Sequence, residues 1–148
     1  MKYILILPLL IFMLSCEKEN SQAHKDDQII QDYLTDNNID ATKHSSGLYY
    51  TITTEGSGSH PTATATVVVR YSGYLTDNSV FDQTEGNATA TFNLQGLITG
   101  WQIGIPLLKV GGEGTFFLPS ALGYGSQSTG NIPANSVLIF DIELVNIQ

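Results

Sequence analysis

Six aromatic side chains carry the best prospects for chemistry in this sequence: Tyr71, Phe81, Phe92, Trp101, Tyr124 and Phe140. Each could be plain core. Two are followed at once by polar or glycine-containing sequence, Phe81-Asp82 and Tyr124-Gly125, which favours a ring-lined binding pocket over a closed interior. Covalent chemistry has few candidates. His24, His44 and His60 lie in polar or turn sequence, so a Ser-His-Asp arrangement lacks a base inside the apolar part of the chain. Gly56-Ser57-Gly58 and Gly123-Tyr124-Gly125 lack both the lysine of a phosphate loop and the three-glycine spacing of a dinucleotide site. Asp82 is the one acidic residue flanked by apolar sequence in a loop, so paired carboxylates are not evident.

The elements that must position these residues are mostly strands. Residues 48–53 are rich in aromatic and β-branched types and stop at Glu55-Gly56-Ser57-Gly58. Residues 62–71 alternate, with Ala63, Ala65, Val67, Val69 and Tyr71 on one face and Thr62, Thr64, Thr66, Val68 and Arg70 on the other. Residues 89–94 and 114–119 read as further strands. In residues 137–147, Leu138, Phe140, Ile142 and Leu144 share a side opposite Asp141 and Glu143. This alternation predicts an antiparallel sheet with one wet face. One stretch, 98–108, looks helical: Thr99 could cap it, Trp101, Ile105 and Leu108 recur at helical spacing, and Gly111-Gly112 closes it. The expected class is α+β, with about five strands wrapped around one short apolar helix.

Ahead of that domain the texture differs. Lys2, an apolar run over residues 3–14 and Ser15-Cys16 describe a secretory signal too short to remain as a membrane span. Ser15-Cys16 resembles the lipobox of bacterial lipoproteins, which implies cleavage after residue 15 and acylation of Cys16; the alternative is an ordinary signal with an incidental cysteine. Residues 16–47 form an acidic tether. Between 17 and 42 it holds seven carboxylates against two lysines. Asp26 or Asp27 could cap a short helix there, with Ile29, Ile30, Tyr33 and Leu34 on one face and Asn37-Asn38 ending it. A spacer is the preferred reading over a partner-binding helix.

The charge balance excludes some classes. Six Lys plus Arg face 14 Asp plus Glu, a net charge of −8, and Arg70 is the sole arginine. A nucleic-acid binder needs clustered cations to neutralise phosphates, so none is expected as a partner. The lone Cys16 can form no internal disulfide, and with three scattered histidines it makes no zinc site.

Six motifs in order carry a family resemblance. They are Val69-Arg70-Tyr71-Ser72-Gly73-Tyr74-Leu75, Val80-Phe81-Asp82, Gly96-Leu97-Ile98-Thr99-Gly100-Trp101, Val110-Gly111-Gly112-Glu113, Leu122-Gly123-Tyr124-Gly125 and the run from Ile132 to Leu144. Residues 48–148 thereby resemble the FKBP-type peptidyl-prolyl cis-trans isomerases. The resemblance implies an FKBP-like half-barrel around a short helix and an apolar pocket for a proline ring. It places Trp101 at the floor, Tyr71, Phe81 and Phe140 as walls, and Leu97 and Ile98 at the rim, with Ile132 closing one side. Asp82 and the Tyr124 hydroxyl become the polar groups near substrate, and the Ile98 N–H meets a substrate carbonyl. Where relatives place another pocket aromatic, this chain has Ala90 or Thr91, and no arginine stands near Asn87 to pair with Asp82.

The resemblance also implies prolyl isomerisation of polypeptide substrates by a monomer without metal or cofactor, held to the cell envelope through Cys16. Two alternatives stand beside it. One is a non-catalytic FKBP-like binding or chaperone module, kept open by the missing aromatic; the other is a structural lipoprotein that has lost its pocket.

Overall fold

A computed structural model describes residues 21–148. The signal expected over 1–15 and the acylation expected at Cys16 lie outside the described residues. The elements are α1 (Gln22–Asp36), β1 (Thr42–Lys43), β2 (Tyr49–Thr54), β3 (Thr66–Tyr74), β4 (Val80–Gln83), β5 (Ala90–Asn93), α2 (Thr99–Gly104), β6 (Glu113–Leu118) and β7 (Leu138–Ile147), with short 3-10 turns at Leu94–Gly96, Ile105–Leu107 and Ser120–Leu122. The sheet is antiparallel throughout and runs β1-β2-β6-β7-β3-β4, with β5 also on β3. It has seven strands rather than about five. The two that periodicity missed are β1, only two residues long, and β4, whose Val80-Phe81-Asp82-Gln83 does not alternate.

Strand β3 is the spine. Its first half pairs with β5, its second half with β4, and its other edge along its length with β7. It begins at Thr66, not Thr62, because residues 62–65 close a turn through the Ala65 N–H and the Thr62 carbonyl. The expected inner face is otherwise correct: Val67 and Val69 are fully buried and Tyr71 packs against the same cluster. That cluster gathers Phe116, Leu118, Leu138, Phe140, Ile142 and Leu144 from β6 and β7 under Trp101, Ile105 and Leu108. Burying each large aliphatic side chain contributes about 1.5–3 kcal/mol.

Helix α2 lies close against the sheet because Gly100 faces it. A Cβ there would collide with the Leu118 side chain and come within 3.1 Å of the Leu122 carbonyl. Thr99 does not cap this helix; it is its first residue, and Ile98 at the cap position offers no side-chain acceptor. Pro106 sits in the 3-10 turn that follows, where its missing N–H costs nothing.

The second face of the sheet is not wholly wet. Ile30 and Leu34 of α1 are buried there against Tyr49, Phe117, Val137 and Ile139. The segment expected as a spacer therefore carries a 15-residue helix docked on the domain. Its N-cap is Ser21, whose hydroxyl accepts the His24 N–H at 3.3 Å, rather than Asp26 or Asp27. Its end matches the expectation at Asn37-Asn38. Asn38 takes φ of 53°, its N–H meets the Thr35 carbonyl, and the Ile39 N–H meets the Leu34 carbonyl at 2.8 Å, a Schellman closure. Lys43 pairs with Asp27 at 2.6 Å, and the Tyr49 hydroxyl donates to the same carboxylate at 2.9 Å, fastening α1 to β1 and β2. Burial opposes ionisation of Asp27, yet these donors hold its pKa below the usual range. The remaining outer face is polar, with Arg70 bound through both oxygens of Glu143 at 2.7 and 2.8 Å.

Candidate functional site

The inner end of β3, the start of α2 and the loops around them enclose a cavity of about 620 Å³. Trp101 forms its floor and is 5% exposed. Gly100 seats α2 directly on β6, and the next residue, Trp101, lines the cavity from beneath. Three rings meet Trp101 nearly at right angles: Tyr71 with centroids 5.0 Å apart, Phe140 at 5.3 Å and Phe92 at 5.8 Å. Phe81 stands edge-on to Phe140 at 5.5 Å. Edge-to-face packing of this kind locks ring orientations, so the walls are set before anything binds. Tyr71, Phe81, Asp82, Leu97, Ile98, Trp101, Tyr124, Ile132 and Phe140, all the residues singled out for the pocket in the sequence, line this one cavity.

Phe92, one of the six aromatic candidates but absent from the pocket set that the family resemblance implied, also lines the cavity. It stands next to Thr91 on the same strand, in contact with both Trp101 and Tyr71. The signal was there. Ala90, Phe92 and Leu94 alternate, so whichever face takes buried Leu94 also takes Phe92. Thr129, Gly130 and Asn131 were missed too; they form a tight turn in which Thr129 and Ile132 exchange two 2.9 Å backbone hydrogen bonds, and Ile132 is swung over one side.

Polar groups are few and fixed. The Tyr71 hydroxyl donates to Asp82 Oδ2 at 2.6 Å. Burial first, then that bond and the charge of Asp82, push the Tyr71 pKa far above the tyrosine range, so the hydroxyl remains a donor at any physiological pH. Asp82 forms no ion pair among the described residues, in keeping with the absent arginine. The Leu97 carbonyl accepts the Gln102 side-chain amide at 2.7 Å, which pins the rim. The neighbouring Ile98 N–H precedes the helix and has no internal partner among the described residues, leaving a donor for a bound carbonyl. Tyr124 is 38% exposed at the opposite lip.

Chemically, the arrangement offers an aromatic box, one backbone donor, the Tyr124 hydroxyl, and a carboxylate already engaged by the Tyr71 hydroxyl. It suits an apolar ring carried by a polar chain, and its selectivity is for shape and polarity rather than for a bond to be attacked.

Comparisons with known proteins agree with this geometry. A family model described as FKBP-type peptidyl-prolyl cis-trans isomerase matches residues 57–145. The chain is 47% identical over 104 residues to the FKBP-type peptidyl-prolyl cis-trans isomerase FkpA of Aeromonas hydrophila, covering 70% of this chain and 39% of that protein. It is 40% identical over 105 residues to the outer membrane protein MIP of Legionella longbeachae, covering 70% and 45%. The crystal structure of FkpA from Escherichia coli superposes with a TM-score of 0.76 at 32% identity, covering 89% of this chain and 63% of that one. The matched stretch thus spans about two fifths of the curated relatives' length.

Proposed function

The chain belongs to the FKBP-type peptidyl-prolyl cis-trans isomerase family, and from that premise we propose that its cavity catalyses rotation about X-Pro bonds in polypeptides of the cell envelope. The observation that carries the reading is the Trp101 floor with Tyr71, Phe92 and Phe140 set edge-on around it beneath an open lip.

Rotation about X-Pro breaks amide resonance and meets a barrier of about 18–20 kcal/mol, while cis and trans differ by only about 0.5–1 kcal/mol. The planar amide is the more dipolar species. The twisted one has a pyramidal nitrogen and less charge separation, so a water-poor aromatic box holds it better than it holds the planar form. The proline ring rests on Trp101, the Ile98 N–H receives a carbonyl of the substrate chain, and the Tyr124 hydroxyl and Asp82 face the rotating amide. No bond to the protein forms, and the reaction needs no nucleophile.

The reading extends to placement. Cys16 is acylated and holds the domain at the membrane as a monomer, where slow isomerisation limits the folding of exported chains. The names of the two curated relatives, one of them an outer membrane protein, support an envelope setting. The alternative of a binding module without turnover rests on the aromatic missing at Ala90 or Thr91.

Exchange spectroscopy by NMR on a Leu-Pro peptide tests the activity. The full chain is expected to raise the cis-trans exchange rate catalytically. A rate equal to buffer would refute the enzyme, and shifted peptide signals at that rate would leave the binding module in its place.

A further inference from the structure

Asp26 is 1% exposed, lies on the outer side of the sheet, and has no part in the mechanism above. No cation neutralises it among the described residues. Its carboxylate is satisfied by three donors instead: the Ser120 N–H at 2.8 Å, the Ser120 hydroxyl at 2.5 Å and the Gln22 side-chain amide at 2.6 Å. Ser120, itself 2% exposed, is the first residue of a 3-10 turn whose cap position is held by Pro119, a residue with no side-chain acceptor. Asp26 therefore supplies from 94 residues away the N-terminal cap that the local sequence lacks.

The turn that it caps leads directly to the pocket. The Ser120 carbonyl accepts the N–H groups of both Gly123 and Gly125, at 2.9 and 2.8 Å, and Tyr124 stands between them. The Gly125 carbonyl in turn accepts the Asn135 N–H at 2.8 Å. Ser120 is thus gripped on one side by α1 and grips on the other the two amides that flank a residue lining the cavity. Tyr124 is the most exposed ring of the site and, among the described residues, lacks the edge-on ring contacts that lock the others. Its placement depends on its backbone.

We propose, resting on the isomerase reading, that Asp26 is a positioning residue for Tyr124: through Ser120 the helix α1 holds the Tyr124 hydroxyl over the substrate amide. The helix ahead of the domain is then part of the active unit and more than a stand-off from the membrane.

A double-mutant cycle on the full chain tests this, reading kcat and KM for a Leu-Pro peptide well below every variant's melting temperature. Asp26→Ala leaves the Ser120 N–H buried and unpaired, and is expected to lower kcat about tenfold with KM little changed, inside the roughly hundredfold that a 1 Å misplacement of a contact group can cost. Tyr124→Phe is expected to lose a similar factor, and the double variant no more than Tyr124→Phe alone, because the two act through one hydroxyl. Leu34→Ala, at the far end of α1, is expected to lower the melting temperature while leaving kcat intact. Multiplying losses in the double variant, or an undiminished kcat in Asp26→Ala, would overturn the proposal. Should Asp26→Ala fail to fold, Asp26→Leu, close to Asp in shape but with no acceptor for the Ser120 N–H and hydroxyl, takes its place in the cycle and is judged by the same two results. Should the wild type prove inactive, the isomerase reading fails by itself, and the coupling is judged from the NMR signals of the Tyr124 ring: displaced in Asp26→Leu if the contact positions it, unmoved if it does not.

Discussion

The Tyr71 hydroxyl and Asp82 Oδ2 meet at 2.6 Å across the neighbouring strands β3 and β4, so the one carboxylate lining the cavity is bound to a pocket wall and not to a cation. The bond does two things at once. It holds the exposed Asp82 carboxylate at the lip of the cavity, and it fixes the rotation of a ring that packs on Trp101.

Tyr71→Phe is therefore expected to lower kcat/KM about fivefold at nearly unchanged stability. A hydrogen bond at a solvent-exposed carboxylate contributes roughly 1 kcal/mol, which is about that factor. Asp82→Ala should cost as much, and the pair together no more than either alone. Isomerase kinetics on the three variants check it; additive losses would mean that the two groups act separately.

Phe92→Ala is expected to lower kcat/KM by about tenfold or more, since it opens one side of the box above Trp101 and admits water to the site where charge must be low. Phe81→Ala and Trp101→Ala should abolish acceleration. The comparison is informative because Trp101 is also core: its removal costs about 3–5 kcal/mol of stability, whereas the half-buried Phe81 and Phe92 cost less. Urea midpoints measured beside the rates separate the two effects.

Much of this was legible from residues alone, and the rest stayed hidden for physical reasons. The inner face of the half-barrel follows from period-two alternation, and the pocket residues follow from motif order. The docked helix stayed hidden because the alternating set Leu138, Phe140, Ile142 and Leu144 satisfies a one-sided strand by itself. The telling sign was Ile139: Val137 to Phe140 is an unbroken apolar run, and such a run marks a strand end buried on both faces. Asp26 looked like a cap and is one, but for a turn that no local pattern connects to it. Long-range pairing of this kind has no periodicity to betray it.

Alkaline pH should unfold the protein through its half-buried phenols. Tyr74 is pushed above the tyrosine range by burial and then by the nearby Asp141 carboxylate, as Tyr71 is by burial and Asp82. The unfolded chain releases these protons near pH 10 and the folded one only higher. Their stabilisation is complete below about pH 10 and is lost as the pH climbs past it. Denaturation midpoints should hold steady to about pH 9 and fall by about pH 11. Tyr74→Phe should soften that fall, and an unaltered slope would point to other groups.

Cys16→Ala should move the protein from the membrane fraction to the soluble fraction of cells, with catalysis in the soluble form intact. Equal membrane content in variant and wild type would refute acylation at that residue.

A fragment beginning at Leu48, where the sequence suggested that the domain starts, should fail to hold a stable fold. It lacks Ile30 and Leu34, each worth about 1.5–3 kcal/mol of burial, and so forgoes about 3–6 kcal/mol against a total of about 5–15 for an ordinary domain. It also bares Tyr49, Phe117, Val137 and Ile139 as one apolar patch, which invites association. A fragment beginning at Ser21 keeps the helix, its cap and the Asp26 contact, and should melt near the full chain. Thermal unfolding and sedimentation of the two fragments decide the matter. If the shorter one stays monomeric with an unchanged melting temperature, α1 is an accessory to the fold, and the burial of its apolar face contributes far less than its area implies.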